Sequence, residues 1–94
     1  MKISTKDYLD YIRQQPHCCF CYTKGIVEPH HIKYIGMGRD RKKSLREHWS
    51  AVPVCRPCHS EYHSLGEKVY STKHQINSYE IVYHYLSKYL QEKV

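Results

Sequence analysis

The nine residues from Cys55 to His63 decide the fold, and they read CRPCHSEYH. The Cys-x-x-Cys spacing lets Cys55 and Cys58 reach one ion. Pro57 is suited to the first turn of a helix. A second pair with the same spacing, Cys18 and Cys21, lies upstream, separated from the first by 33 residues. Four thiolates complete a tetrahedral zinc site. The two pairs therefore predict a chain closed around a structural zinc ion.

Length and cysteine content favour this interpretation. A chain of 94 residues buries a low fraction of its surface, and a bound metal is a common remedy. No signal-peptide-like start and no membrane-spanning apolar run is evident, so we expect a soluble, cytoplasmic protein whose cysteines stay reduced. Cys19 is the fifth cysteine and is left over when Cys18 and Cys21 are the metal ligands. An alternative is that Cys19 and Cys21 are the first ligand pair, but this Cys-x-Cys spacing is less usual. Redox-active cysteines are another, but the sequence lacks the βαβ pattern that they require.

Helical and extended patterns predict an α+β protein with one domain, residues 1–94, in three parts. Residues 1–16 contain a helix over 5–15, capped by Ser4 and stopped by Pro16. Residues 17–66 contain a zinc knuckle, two short extended stretches at 26–32 and 51–54 that form a hairpin, and a helix from Pro57 to Gly66. Residues 67–94 form a helical extension, with a short turn at 67–73 and a last helix capped by Asn77.

The last helix carries an apolar stripe rich in tyrosine. Its members recur at helical spacing and are Ile81, Val82, Tyr85, Leu86, Tyr89 and Leu90. This spacing favours packing in the core or an interface, and stacking of the tyrosines on nucleic-acid bases is the alternative.

Histidines in excess of the zinc ligands point to a second site. His59 and His63 are four residues apart, so they stand on one helix face, close enough to chelate one cation. His30 and His31 are adjacent in an extended stretch, where neighbouring side chains point to opposite sides, so only one can face that cation. The arrangement predicts a divalent metal held by His30, His59 and His63. His31 is then available as a general base, because a neutral imidazole can deprotonate water near pH 7.

Residues 18–63 resemble the HNH endonucleases, whose fold is the ββα-metal finger, related to the treble clef. The resemblance rests on the His30-His31 pair, the helix histidines and the four cysteines, which match a zinc-stapled branch of the family. It implies a small zinc-stapled finger flanked by N- and C-terminal helices. It also implies hydrolysis of phosphodiester bonds in DNA with low sequence specificity, with His31 as the base and Mg²⁺, Mn²⁺, Ni²⁺ or Zn²⁺ at the histidines.

One family position differs. The central Asn of the family lies nine residues before the helix histidine and orients the base; here that position is Ser50. His48, two residues earlier, is a candidate substitute. The stretches PHHI, GMGR and PVCRPCH are also similar to phage-derived, recombination-associated HNH nucleases, which implies a phage or bacterial setting and a recombination or packaging protein as partner.

The charge of the chain favours a polyanionic partner. The formal net charge is +6, and a basic run follows the first extended stretch. We expect it to contact DNA or RNA phosphates through Lys33, Arg39, Arg41, Lys42, Lys43 and Arg46. Two alternatives have other uses for the zinc: a non-catalytic nucleic-acid-binding module, and an interaction protein that dimerises through its last helix. A monomer is expected to nick one strand, and a homodimer could cut both.

Overall fold

The computed structural model describes residues 3–32 and 46–93, in which helices surround one hairpin. The elements follow in the order α1 Thr5–Arg13, β1 Glu28–His31, a 3-10 helix Arg46–Ser50, β2 Ala51–Val54, α2 Arg56–Leu65, α3 Glu67–His74 and α4 Ser78–Lys93. Over these residues the protein is α+β, as the sequence predicts, with four α-helices and a two-stranded sheet.

The first helix begins where the cap predicts. The Ser4 hydroxyl accepts a hydrogen bond from the Asp7 backbone N–H at 3.1 Å, which satisfies one of the unpaired donors of the first turn. The helix ends at Arg13, two residues short of the predicted end, and Tyr8 and Ile12 are buried.

The hairpin holds the two predicted extended stretches together. Strand β1 pairs with β2 in antiparallel register, so that Pro29 lies opposite Pro53 and His30 lies opposite Val52. Each proline removes one ladder donor, which a sheet of two short strands tolerates because each strand has an open edge. Strand β2 has the bounds that the sequence predicts, whereas β1 is shorter than its predicted stretch.

Helix α2 begins one residue before the predicted Pro57 and ends at the predicted cap. Gly66 adopts φ +86°, and its N–H donates to the Tyr62 carbonyl at 2.8 Å. Helix α3 follows at once and spans Glu67–His74, one residue longer than the short turn of helix that the sequence predicts at 67–73. Its first residue, Glu67, accepts hydrogen bonds from the hydroxyls of Tyr62, Ser71 and Ser78, so this carboxylate joins α2, α3 and α4.

Tyrosines of several elements form the core. Tyr8 and Tyr89 pack edge to face with ring centres 5.1 Å apart, and each hydroxyl has a partner, Tyr8 with the Ala51 carbonyl and Tyr89 with Asp7. In the predicted stripe of α4, Val82, Tyr85 and Tyr89 are buried, which confirms packing for this part of the stripe. Leu90 is 38% exposed, so the stripe does not extend to its last predicted member.

Candidate metal centres

The four cysteines of the two pairs converge. The first pair lies in the knuckle after α1, and the second comes from the end of β2 and the first turn of α2. Their four sulfur atoms all lie within 4.8 Å of one another; the residues are Cys18, Cys21, Cys55 and Cys58. Two sulfurs that each bind a tetrahedral zinc ion at about 2.3 Å lie about 3.8 Å apart. The Cys21 and Cys55 sulfurs are 3.7 Å apart, so this cluster could hold a structural metal such as zinc.

Electrostatics differ among these thiols. Hydrogen bonding to Thr23 lowers the pKa of Cys21 to about 6, which favours the thiolate form that binds metal. Burial raises the pKa of Cys55 and Cys58, and a bound cation would deprotonate them outright. Cys19 is 5% exposed, and burial raises the pKa of its thiol. Its sulfur lies outside the four-cysteine group, as the Cys-x-x-Cys spacing predicts.

Three histidines, one from β1 and two from α2, form a second group. One ring nitrogen from each of His30, His59 and His63 lies within 4.8 Å of the other two, and the Nε2 atoms of His59 and His63 are 2.8 Å apart. Two nitrogens bound to one ion at 2.0–2.1 Å lie about 2.9–3.4 Å apart, depending on the coordination angle. The His59–His63 distance matches this range, and the three residues together could hold a small divalent cation.

Burial within this group grades from the core to the surface. His30 is 1% exposed, and its ring stands edge-on to Tyr62, with ring centres 4.0 Å apart. His59 is half-buried and His63 is exposed. A cation held here would have protein on one side and solvent on the other, which leaves room for a substrate oxygen or water.

Glu28 supports this group and is absent from the sequence predictions. Its carboxylate lies 2.6 Å from His59 Nδ1 and 3.3 Å from a guanidinium nitrogen of Arg56. A carboxylate accepts hydrogen bonds, so the His59 proton sits on Nδ1 and the lone pair of the neutral ring is on Nε2, which faces His63. The signal was available, because Glu28 lies two residues before His30 and therefore on the same face of the strand.

His31 has a different neighbourhood. Its Nε2 atom lies 2.8 Å from Nδ1 of His48, which comes from the 3-10 helix. The next residue, Trp49, packs its ring against Tyr8 at 5.5 Å and anchors the 3-10 helix to α1. Ser50 is buried, with 1% exposure. The adjacent histidines of β1 thus contact separate groups, His30 on α2 and His31 on the 3-10 helix.

The predicted phosphate-binding run falls largely outside the described residues. The members of the run that lie outside the described residues are Lys33, Arg39, Arg41, Lys42 and Lys43. The side chain of Arg46 is also outside the described part of the chain. Among the described residues, Arg56 has an 80% exposed side chain beside the histidine group. It lines an open cleft of about 400 Å³ together with Glu28, His59, Ser60 and His63.

None of the helices in residues 3–32 and 46–93 combines the length and apolarity that a bilayer span requires.

Comparison with known proteins identifies a family but no activity. The model of a family described as protein of unknown function (DUF968) matches residues 1–90. No curated protein and no solved structure matches the chain. Since the match extends over nearly the whole length of the 94-residue sequence, the chain belongs to this family.

Proposed function

We propose that this protein is a metal-dependent endonuclease of the HNH type, in which a zinc-stapled ββα-metal finger hydrolyses phosphodiester bonds. The observation that carries the proposal is the meeting of three imidazoles from a strand and a helix within 4.8 Å, with the adjacent strand residue His31 in contact with a further histidine, His48. A purely structural zinc protein has no use for this second group.

The histidine group suits the chemistry. A divalent cation held by His30, His59 and His63 would neutralise charge on the scissile phosphate and stabilise the leaving oxygen. Imidazole ligands favour a transition metal, whereas Mg²⁺ favours oxygen and would depend more on water and substrate phosphate. Glu28 supports the assignment because histidine ligands usually donate their other ring proton to a carboxylate or carbonyl.

His31 is the proposed general base, and His48 holds it in position. When Nε2 of His31 donates to Nδ1 of His48 across their 2.8 Å contact, the lone pair of His31 is on Nδ1. That atom takes a proton from the attacking water, and the acceptor on His48 stabilises the imidazolium that forms. His48 thereby supplies the orienting role that the family Asn has at the position of Ser50.

Substrate binding rests on charge. The formal net charge of +6 favours a polyanion, and the exposed Arg56 at the edge of the histidine cleft can contact a phosphate. The basic run at 33–46 would extend this contact along the backbone. Phosphate contacts carry no base information, which supports cleavage with low sequence specificity.

Plasmid cleavage tests the proposal. Zinc-loaded protein is incubated with supercoiled plasmid in Mg²⁺, Mn²⁺, Ni²⁺ or Co²⁺, in parallel with the His31→Ala variant. We expect the wild type to relax or linearise the plasmid with at least one metal and His31→Ala to be inactive. DNA binding without cleavage in any metal would replace the enzyme by a zinc-containing nucleic-acid-binding module. Absence of both would leave an interaction protein.

A further inference from the structure

A second cleft, separate from that of the histidine group, lies between the end of α1, the knuckle and α4. It encloses about 400 Å³ and shares no lining residue with the histidine group. Its apolar floor is formed by Cys19, Ile81 and Tyr85, of which Cys19 and Tyr85 are buried. We call this the knuckle cleft.

Aromatic rings form one wall of the knuckle cleft. The rings of His17 and Tyr22 contact each other, with centres 5.4 Å apart, and both line the cavity. The Tyr22 ring is 70% exposed, an unusual position for so large a side chain beside an apolar floor.

The backbone of Tyr22 is held by the turn of the knuckle. It adopts φ +61°, a left-handed conformation that an aromatic residue rarely occupies and that glycine would adopt without strain. Two hydrogen bonds of 3.0 Å impose it, from Tyr22 N–H to the Cys18 carbonyl and from Cys18 N–H to the Thr23 carbonyl. Strained residues of this kind cluster at ligand-binding sites, because elsewhere a less strained residue serves as well. Here the strain fixes the ring at the mouth of the cleft.

The opposite wall supplies polar and charged groups from α4. Lys88, Glu80 and His84 are exposed and line the cavity, and the Gln15 amide lies at its end. A ligand that suits this cleft has a flat ring to lie against Tyr22 and His17, hydrogen-bonding groups at its edge for Gln15 and Glu80, and a negative charge for Lys88. A nucleotide has all three.

We infer that the knuckle cleft accepts one unstacked base of a single DNA strand, stacked on Tyr22, with its phosphate at Lys88. The inference rests on the proposed function for its choice of ligand and extends it to a preference for substrates with single-stranded segments. In a duplex the bases are paired and stacked, so the same ring has no base to receive.

The test compares single-stranded with duplex binding in a variant that does not cleave. In a His31→Ala background, fluorescence anisotropy measures binding of a labelled short oligothymidylate and of its duplex with oligoadenylate. Tyr22→Ala should weaken binding to the single strand about tenfold or more, since stacking on one aromatic ring is worth this much, and leave duplex binding unchanged. Tyr22→Phe keeps the ring and should retain the affinity.

Control variants and checks of folding separate a loss of stacking from a loss of structure. Tyr83→Ala removes another exposed tyrosine, which lies on α4 outside the cleft, and should have no effect. Lys88→Gln should reduce the salt dependence of single-strand binding by a slope of about 0.7, the value for one phosphate contact. Zinc content and circular dichroism of each variant are measured alongside.

Two results would overturn the inference: equal weakening of single-strand and duplex binding by Tyr22→Ala, or no greater effect of Tyr22→Ala than of Tyr83→Ala. Failure here is distinguishable from failure of the proposed function. If the wild type cleaves DNA and Tyr22→Ala does not change single-strand binding, only the inference about the cleft fails. A Tyr22-dependent preference for single strands, without cleavage by the wild type in any metal, removes the nuclease alone.

Discussion

The cysteine group and the histidine group share α2 but differ in their ligand atoms and in their exposure. Four sulfurs surround the first site and join the knuckle to the hairpin and α2, so a metal there has no open position. Three imidazoles form the second, graded from the buried His30 to the exposed His63, with Glu28 behind one of them. The difference indicates that the first metal would maintain the fold and the second would work on a ligand.

The largest effect should come from breaking the cysteine group. Cys58→Ser removes one ligand, and because structural zinc binding and folding are coupled, we expect loss of zinc and of most native circular dichroism. Cys19→Ser is the matched control, as Cys19 is buried nearby but outside the group. It should keep one zinc per chain. Native circular dichroism in a zinc-free Cys58→Ser protein would contradict a structural role for this metal.

Loss of the base should abolish activity and spare the fold. We expect His31→Ala to lower the cleavage rate about 10²–10⁴-fold, the range for a general base, with unchanged zinc content and thermal stability. His74→Ala changes an exposed histidine on α3, outside both clefts, and should cleave normally. A His31→Ala protein that is insoluble would instead make this imidazole structural.

A smaller effect should come from the carboxylate behind His59. Glu28→Gln keeps the size of the side chain but weakens the acceptor for His59 Nδ1, and such supporting contacts are worth about 10–100-fold in metal affinity or activity. The signature is a higher metal concentration for half-maximal cleavage. Glu61→Gln, which alters a partly exposed carboxylate of α2 that pairs with Lys73 of α3, is the control. Equal metal requirements in both variants would separate Glu28 from the site.

The smallest effect should come from the basic run. Replacing Arg39 and Arg41 by alanine should weaken DNA binding at moderate salt and lower the slope of log affinity against log salt by about one per lost phosphate contact. Anisotropy titrations at several salt concentrations measure it. An unchanged slope would remove these residues from the interface.

Local patterns predicted most of the framework from the sequence. The residues that set the element boundaries act on the backbone next to them: Ser4 and Gly66 cap helices, and the two prolines limit the strands of the hairpin. The observed boundaries therefore agree with the predicted ones within one or two residues for most elements. The cysteine and histidine groups were also predictable, because metal-ligand spacing restricts which side chains can meet.

Contacts between distant segments were harder to predict. Strand alternation places Glu28 on the same face as His30, but its contact with His59, 31 residues away, depends on how α2 lies on the hairpin. The Glu67 carboxylate accepts hydrogen bonds from hydroxyls of α2 and α4, and no local pattern specifies these contacts. The resemblance to HNH nucleases makes His48 a candidate substitute for the central Asn. Its contact with His31, however, depends on the packing of Trp49 on α1.

The most direct measurement is the number of divalent ions bound by zinc-loaded protein in a calorimetric titration with Ni²⁺ or Mn²⁺. We expect one further ion per chain, abolished by His59→Ala and retained by His84→Ala, while the zinc content of all three proteins stays the same. Binding of no further ion, or equal binding by the His59→Ala and His84→Ala variants, would contradict a cation site at the three histidines.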